Sequence, residues 1–337
     1  MTNLDQLKFP SLLPLKGTSS GRVAYYRFLD IDELAAFLPE DISLTQLSCQ
    51  PFDCQSMALV FEPIRFSFNH INGKLHAVGD KYTDFLTFTY ILYGHGYGQP
   101  IIANHLPITQ DYLWGFDPHR EADLVFPGNS IHCAIHIRQG VFEACAQAMD
   151  RADLNANFLG KNYVYMPETI QPLQGYLKQL YDLLKQKSPL LQRPDFQQVI
   201  LKDFLPLLIA ALPTQPAPRS SNKAFRRSHL VKQANDYMQS HVDQGLTLTD
   251  LCQALGTSSR ALSYGFQEMF GVSPMAYLKL LRLQGVRRAL KAAEFSHHTV
   301  TEIATQFGFC HLGIFARDYK QVFGELPSET LKSSQQR

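Results

Sequence analysis

Apolar positions change their spacing twice along the chain. From about Leu44 to Ile137 they fall in short runs, as in Ser56-Met-Ala-Leu-Val-Phe61, Arg65-Phe-Ser-Phe-Asn69, Phe85-Leu-Thr-Phe-Thr-Tyr-Ile-Leu-Tyr93 and Ile131-His-Cys-Ala-Ile-His-Ile137. Asn72-Gly73, Gly94-His-Gly-Tyr-Gly98, Asp117-Pro118 and Pro127-Gly-Asn129 separate these runs, and such residues favour turns. The pattern predicts a small β-barrel or sandwich. From Gly140 to about Leu212 the spacing becomes helical. There Ile170, Leu173, Leu177, Leu180 and Leu184 form a seam that fits either a helix packed on its own barrel or a dimer interface. From about Ala224 onward the period is helical throughout. The predicted class is α+β: a β-rich N-terminal domain with trailing helices, then an all-α domain.

The last third repeats itself. Thr247-Leu-Thr-Asp-Leu-Cys-Gln-Ala-Leu-Gly256 matches Thr299-Val-Thr-Glu-Ile-Ala-Thr-Gln-Phe-Gly308, and each copy opens with Thr followed three residues later by a carboxylate. That is a capping box, with Thr299 and Glu302 the better pair. Each copy then reaches a glycine able to end a helix in the left-handed conformation. A second helix follows, in which Leu262, Phe266, Phe270, Gly271 and Pro274 match Phe315, Tyr319, Phe323, Gly324 and Pro327. The three apolar residues share one helix face and leave the opposite face for a partner. Two short helices around a tight turn make a helix-turn-helix, here present twice. Between the copies a helix is predicted from Pro274 to about Ala293. At 1.5 Å per residue it is roughly 30 Å long, close to the ~34 Å of one DNA turn. It carries Lys279, Arg282, Arg287, Arg288 and Lys291 and no acidic residue, a set that reads either as a solvated flank or as phosphate contacts.

Charge sharpens this division. The whole chain of 337 residues is nearly neutral, at +1, which taken alone argues against a polyanionic partner. Pro213-Thr-Gln-Pro-Ala-Pro-Arg-Ser-Ser-Asn222 reads as a linker, since its prolines block helix and ladder pairing. Up to Pro218 there are 16 basic and 21 acidic residues, a net of −5; beyond it there are 15 and 9, a net of +6. An acidic segment is thus joined to a basic one. The expected division is 1–212, a linker at 213–222, and 223–332.

Residues 224–332 resemble the AraC/XylS-type DNA-binding domain, two helix-turn-helix units joined by a long helix. Ile303-Ala-Thr-Gln-Phe-Gly-Phe309 followed by Phe315-Ala-Arg-Asp-Tyr-Lys-Gln-Val-Phe-Gly-Glu-Leu-Pro-Ser328 is similar to that family's most characteristic stretch. The resemblance implies a transcription regulator of double-stranded promoter DNA, often a homodimer and often an activator that meets RNA polymerase. Carried over by position, the first reading helix starts near Ser258 and presents Ser259, Arg260, Ser263 and Tyr264. Arg260 suits a base contact, because a guanidinium can take guanine O6 and N7 together. Ser258 or Ser259 suits a helix cap or a phosphate contact. The second reading helix presents His311, Leu312, Gly313 and Arg317, with Lys320 as a phosphate contact or plain surface lysine. Leu312 and Gly313 have no side-chain donors, so this unit is expected to grip the backbone or read shape. Arg317 fits a base, a phosphate or a salt bridge equally well.

The first 212 residues resemble, more loosely, the cupin-like sensor barrel with dimerisation helices that precedes such domains in many regulators. That implies a small-molecule effector, for which Phe88, Tyr90, His95 and Trp114 are candidate lining residues. His132 and His136 share a strand face, but their spacing departs from the HxH of metal-binding cupins, so core or rim histidines are expected and no metal or cofactor. There is no nucleophile elbow, Walker loop or GxGxxG, and no catalytic residue is assigned. The alternatives are a metal-dependent cupin-type enzyme fused to a DNA-binding tail and a ligand-independent DNA-binding protein. The longest apolar stretch, Phe204-Leu-Pro-Leu-Leu-Ile-Ala-Ala-Leu212, is too short to span a bilayer. The opening residues lack a signal-peptide pattern, and six scattered cysteines suggest reduced thiols, so a cytoplasmic protein is expected.

Overall fold

The computed structural model describes residues 22–38, 42–81, 84–94, 100–104, 106–214, 222–293 and 299–335. The N-terminal strands are β1 (Arg22–Phe28), β2 (Ser43–Gln46), β3 (Cys54–Phe61), β4 (Ile64–Ile71), β5 (Leu75–Gly79) and β6 (Phe85–Tyr93). They continue with β7 (Ile101–Ala103), β8 (Leu106–Ile108), β9 (Tyr112–Trp114), β10 (Ala122–Phe126), β11 (Ser130–Arg138) and β12 (Tyr163–Tyr165). One sheet runs β1-β3-β4-β11-β6-β9-β12 and a second runs β2-β5-β10-β7-β8. The expected barrel takes the form of two facing sheets, whose hydrogen bonding does not close into a cylinder among the described residues. Most of the 213–222 linker lies outside the described residues.

Both faces of the larger sheet are covered. Its outer face carries α2 (Gln139–Ala148), α4 (Ile170–Lys185) and α5 (Pro194–Ala211), with the short α3 (Ala156–Leu159) beside them. Phe66, Phe88 and Ile135 point outward into this helix layer, where Phe66 meets Phe204 edge-on at 4.8 Å between ring centroids. The seam Ile170, Leu173, Leu177, Leu180 and Leu184 is buried in the same core. Of its two readings, packing on the chain's own sheet is the one observed.

A seven-residue helix, α1 (Ile31–Phe37), lies between β1 and β2. The C-terminal region comprises α6 (Asn222–Ser240), α7 (Leu248–Ala254), α8 (Ser259–Phe270), α9 (Pro274–Ala292), α10 (Val300–Gln306), α11 (Leu312–Phe323) and α12 (Pro327–Gln335). Both capping boxes form. Thr247 N donates to Asp250 Oδ2 at 2.8 Å, and Thr299 N to Glu302 Oε2 at 2.7 Å, with the reciprocal bonds to the threonine hydroxyls in place. Helices α8 and α11 end on Gly271 and Gly324, at φ +67° and +79°. Any residue with a Cβ is strained in that conformation, which explains why both copies carry glycine there.

The two regions are docked, chiefly through α9. Gln284 donates to the Leu44 carbonyl at 3.2 Å, and Gln46 of β2 donates to the Val322 carbonyl at 3.0 Å. His76 bridges Asp123 at 2.9 Å and the Tyr277 hydroxyl at 2.8 Å, all three within the interface. Leu47, just after β2, and Val125 of β10 join the apolar core of the helical region.

Candidate nucleic-acid interface and internal cavity

Helix α8 is amphipathic by sequence, and the structure buries Leu262, Phe266 and Phe270 while turning the other face out. Ser258 caps it: its Oγ accepts from Ala261 N at 3.2 Å. Ser259 and Arg260 follow in the first turn, fully at the surface, with Ser263 half-buried behind them. Tyr264 is 57% exposed, and Arg227 of α6 sits 4.9 Å from its ring centroid. The expected first reading face is therefore brought together on one surface.

Helix α11 repeats this with different chemistry. His311 is its N-cap residue but makes no side-chain cap bond. Leu312, Gly313 and Arg317 are exposed, and nothing lies within 4 Å of where a Cβ on Gly313 would stand. Lys320 is exposed further along. Arg317 reaches the carboxylate of neighbouring Asp318 only at 3.4 Å and keeps 74% of its side chain in solvent. Ile314, 52% exposed beside Leu312, was not singled out from the sequence. The signal was available, since Ile314 lies off the Phe315–Tyr319 face. With Leu312 it makes an apolar tip suited to thymine methyl groups.

The basic residues of α9 have other tasks. Lys279 pairs with Asp318 at 3.0 Å, and Arg282 donates to the carbonyls of Val242 and Gln244. Arg287 pairs with Asp30 at 2.6 Å and Glu325 at 2.9 Å. Arg288 lies 3.4 Å from Asp32, while Lys291 contacts both Asp30 and Asp32. Arg287 is buried in its pairs, whereas Lys279 and Arg288 keep about half of their side chains in solvent. The acidic partners of this set lie mostly hundreds of residues away in sequence, where no local pattern could reveal them.

Between the two sheets lies a cavity of about 210 Å³. Strand register explains it. One row of inward side chains crosses the larger sheet as Ala58, Ser67, Ala134, Thr89 and Trp114. Four small residues leave a hollow and the indole closes one end. Flanking rows place Asn69 beside His132, and Thr87 beside His136. The opposite wall is apolar, built from residues such as Leu34 and Phe37 of α1 and Leu124 and Phe126 of β10. Burial lowers both imidazoles to about 4, aided by His70 at His132 and by Arg65 at His136, so both are neutral near pH 7. His136 Nδ1 bonds the Thr87 hydroxyl at 3.0 Å, and His132 stacks on Phe126. No cluster of three potential metal ligands occurs among the described residues.

The candidate lining residues divide. Trp114 lines the cavity. Phe88 and Tyr90 do not: β6 alternates, so they point to the helix layer while Thr87 and Thr89 face the hollow. His95 lies outside the described residues. Lys81, which reaches the cavity from just beyond β5, was not singled out. A lone lysine after a strand carries no distinctive pattern.

The helix-turn-helix domain family matches residues 251–333. A solved structure of a probable AraC family transcriptional regulator from Rhodopseudomonas palustris CGA009 is 40% identical, with 32% of this chain covering 97% of that one at a TM-score of 0.30. The C-terminal third belongs to the AraC/XylS family of DNA-binding domains. A probable thc operon regulatory protein of Rhodococcus erythropolis is 43% identical over 104 residues, 31% of each chain. XylDLEGF operon transcriptional activator 2 of Pseudomonas putida is 36% identical over 95 residues, 28% of this chain and 60% of that one. The chain thus spans less than two thirds of these two relatives' own length, and the likeness resides in the AraC-type domain. No helix among the described residues is long and apolar enough to cross a membrane.

Proposed function

We propose that the protein is a sequence-specific regulator of transcription, an activator of the kind its relatives are named for, whose grip on promoter DNA responds to a small molecule. One observation carries the DNA-binding part. Two capped helix-turn-helix units turn the outer faces of α8 and α11 to solvent, with Arg260 and Arg317 prominent on them. A second supports the response. Helix α1 lines the cavity with Leu34 and Phe37, and its first turn holds α9 through Asp30 and Asp32. A ligand that moves α1 therefore acts on the AraC-type domain directly, biasing a two-state equilibrium. In this reading residues 1–212 sense effector and support a homodimer, 213–222 link, and 223–332 read DNA. Promoter DNA, the effector, a second copy of the chain and RNA polymerase are the partners, in the cytoplasm.

Selection of binding sites from random duplex DNA, followed by gel shifts at two salt concentrations, tests the proposal. Binding to the selected sites is expected to weaken steeply with salt. No salt-sensitive binding to any sequence would overturn it. Arg260→Ala is expected to cost roughly 1–3 kcal/mol, confined to one base position of the selected site. A uniform loss over all sequences would make Arg260 a phosphate contact instead.

A further inference from the structure

The cavity's lining selects among ligand chemistries. No Asp or Glu among the described residues lines it, so a cationic ligand finds no counter-charge. Its apolar wall has nothing to satisfy a ring of hydroxyl groups, and a polyol would leave several unpaired there. What the cavity does hold, beside the serine, threonine and asparagine side chains of the larger sheet, is buried nitrogens. Trp114 Nε1, in a side chain only 1% exposed, has no hydrogen-bond partner. His132 Nδ1 is likewise buried and unpartnered, a donor or an acceptor according to the tautomer of the neutral ring. Lys81 Nζ donates to the Gly115 carbonyl at 2.8 Å and reaches Asn162 Oδ1 at 3.4 Å, which leaves one of its three donors for the cavity. Burial pulls that ammonium down to about 8, against the opposing pull of Asp117 and with a small push from Arg120. An anion arriving beside it offsets the lost solvation.

We propose that the cavity binds a compact, mainly apolar carboxylic acid whose carboxylate pairs with Lys81 and whose body lies against Trp114 and the wall formed by α1 and β10. This rests on reading the cavity as the effector site and names the class of effector. A neutral hydrocarbon would fill the space but leave the third Lys81 donor and the indole N–H without an acceptor. The acid satisfies both kinds of surface.

Trp114 is the chain's single tryptophan, so intrinsic fluorescence reports the cavity directly. The full chain is titrated with phenylacetate and cyclohexanecarboxylate, with the amides of both, and with phenethylamine. The acids are expected to change Trp114 emission saturably, at least about tenfold more tightly than their amides, and the amine not at all. Lys81→Met is expected to bring acid and amide to near-equal affinity, whereas Lys81→Arg keeps the preference. Amides binding as well as acids, a response to the amine, or no saturable response to either acid would each overturn the proposal. These wild-type comparisons hold even if Lys81→Met fails to fold. Gel shifts with and without the acids separate the two readings. Acid binding that leaves DNA affinity unchanged would remove the regulatory reading while leaving the acid site in place.

Discussion

His132 and His136 set how the sheet domain responds to acid. Burial holds both near 4 rather than 6.5, so the folded chain keeps them neutral while an unfolded chain protonates them near pH 6.5. The unfolded state therefore binds more protons between these values, and stability rises with pH across that window. It is fully present above about pH 6.5 and declines as pH falls toward 4. The ceiling is roughly 3 kcal/mol per histidine, from the fall of each imidazole from 6.5 to about 4. Chemical denaturation at pH 7, 5.5 and 4.5 checks this. His132→Gln is expected to reduce the slope, because it cannot be protonated, and an unchanged slope would show that His132 is not responsible. The same two residues were visible in the sequence as a strand-face pair. Their neutrality was not, since it depends on β10 and the opposite sheet closing over them.

At the scale of elements, the second helix-turn-helix is held to the connecting helix by a close approach. A Cβ on Gly285 of α9 would stand 2.3 Å from the Phe307 ring, so the ring packs against bare backbone. Gly285→Ala gains helix propensity of about 1 kcal/mol, yet forces the ring aside at a cost of roughly 1–3 kcal/mol. The expected net is a loss of thermal stability. Gly313→Ala, with open space around it, is expected to cause none, and differential scanning calorimetry of the two variants decides between them. What could be read in advance follows from range. The capping boxes, the Phe-Gly-x-x-Pro endings and α9 are written in residues a few positions apart, and all of them formed. Strand β6 was harder, because both its faces are covered and all but its last residue are buried. Phe88 and Thr89 therefore look alike in pattern although they face opposite layers. The cavity depends on small residues coming into one row from four strands, with Trp114 from a fifth, which no single strand announces.

For the whole molecule, the near-neutral total conceals two regions of opposite charge held against each other. Asp30 and Asp32 grip Arg287, Arg288 and Lys291, so the −5 region sits on the +6 region proposed to meet phosphate. Burial alone would raise Asp30, but Arg287 and Lys291 outweigh it and hold its carboxyl below the usual range. Its contribution is therefore present above the ordinary carboxylate pKa of about 4 and lost as pH falls through the lower folded value. Charge can be removed here without unfolding α1. Asp30 is the N-cap, its Oδ1 accepting from Asp32 N at 2.8 Å, and asparagine caps about as well as aspartate. The double variant Asp30→Asn, Asp32→Asn should thus cut the ion pairs alone. Docking is expected to weaken by up to about 3 kcal/mol, less than for a fully buried pair because Glu325 stays on Arg287. With the acidic region free to move away, the AraC-type domain should bind its selected site several-fold more tightly without effector, and effector should add less. Gel shifts in low salt measure both effects, since screening shrinks them as salt rises. If the variant binds DNA with wild-type affinity and wild-type response, the docked arrangement does not restrain the reading helices, and the signal from the cavity travels by another route.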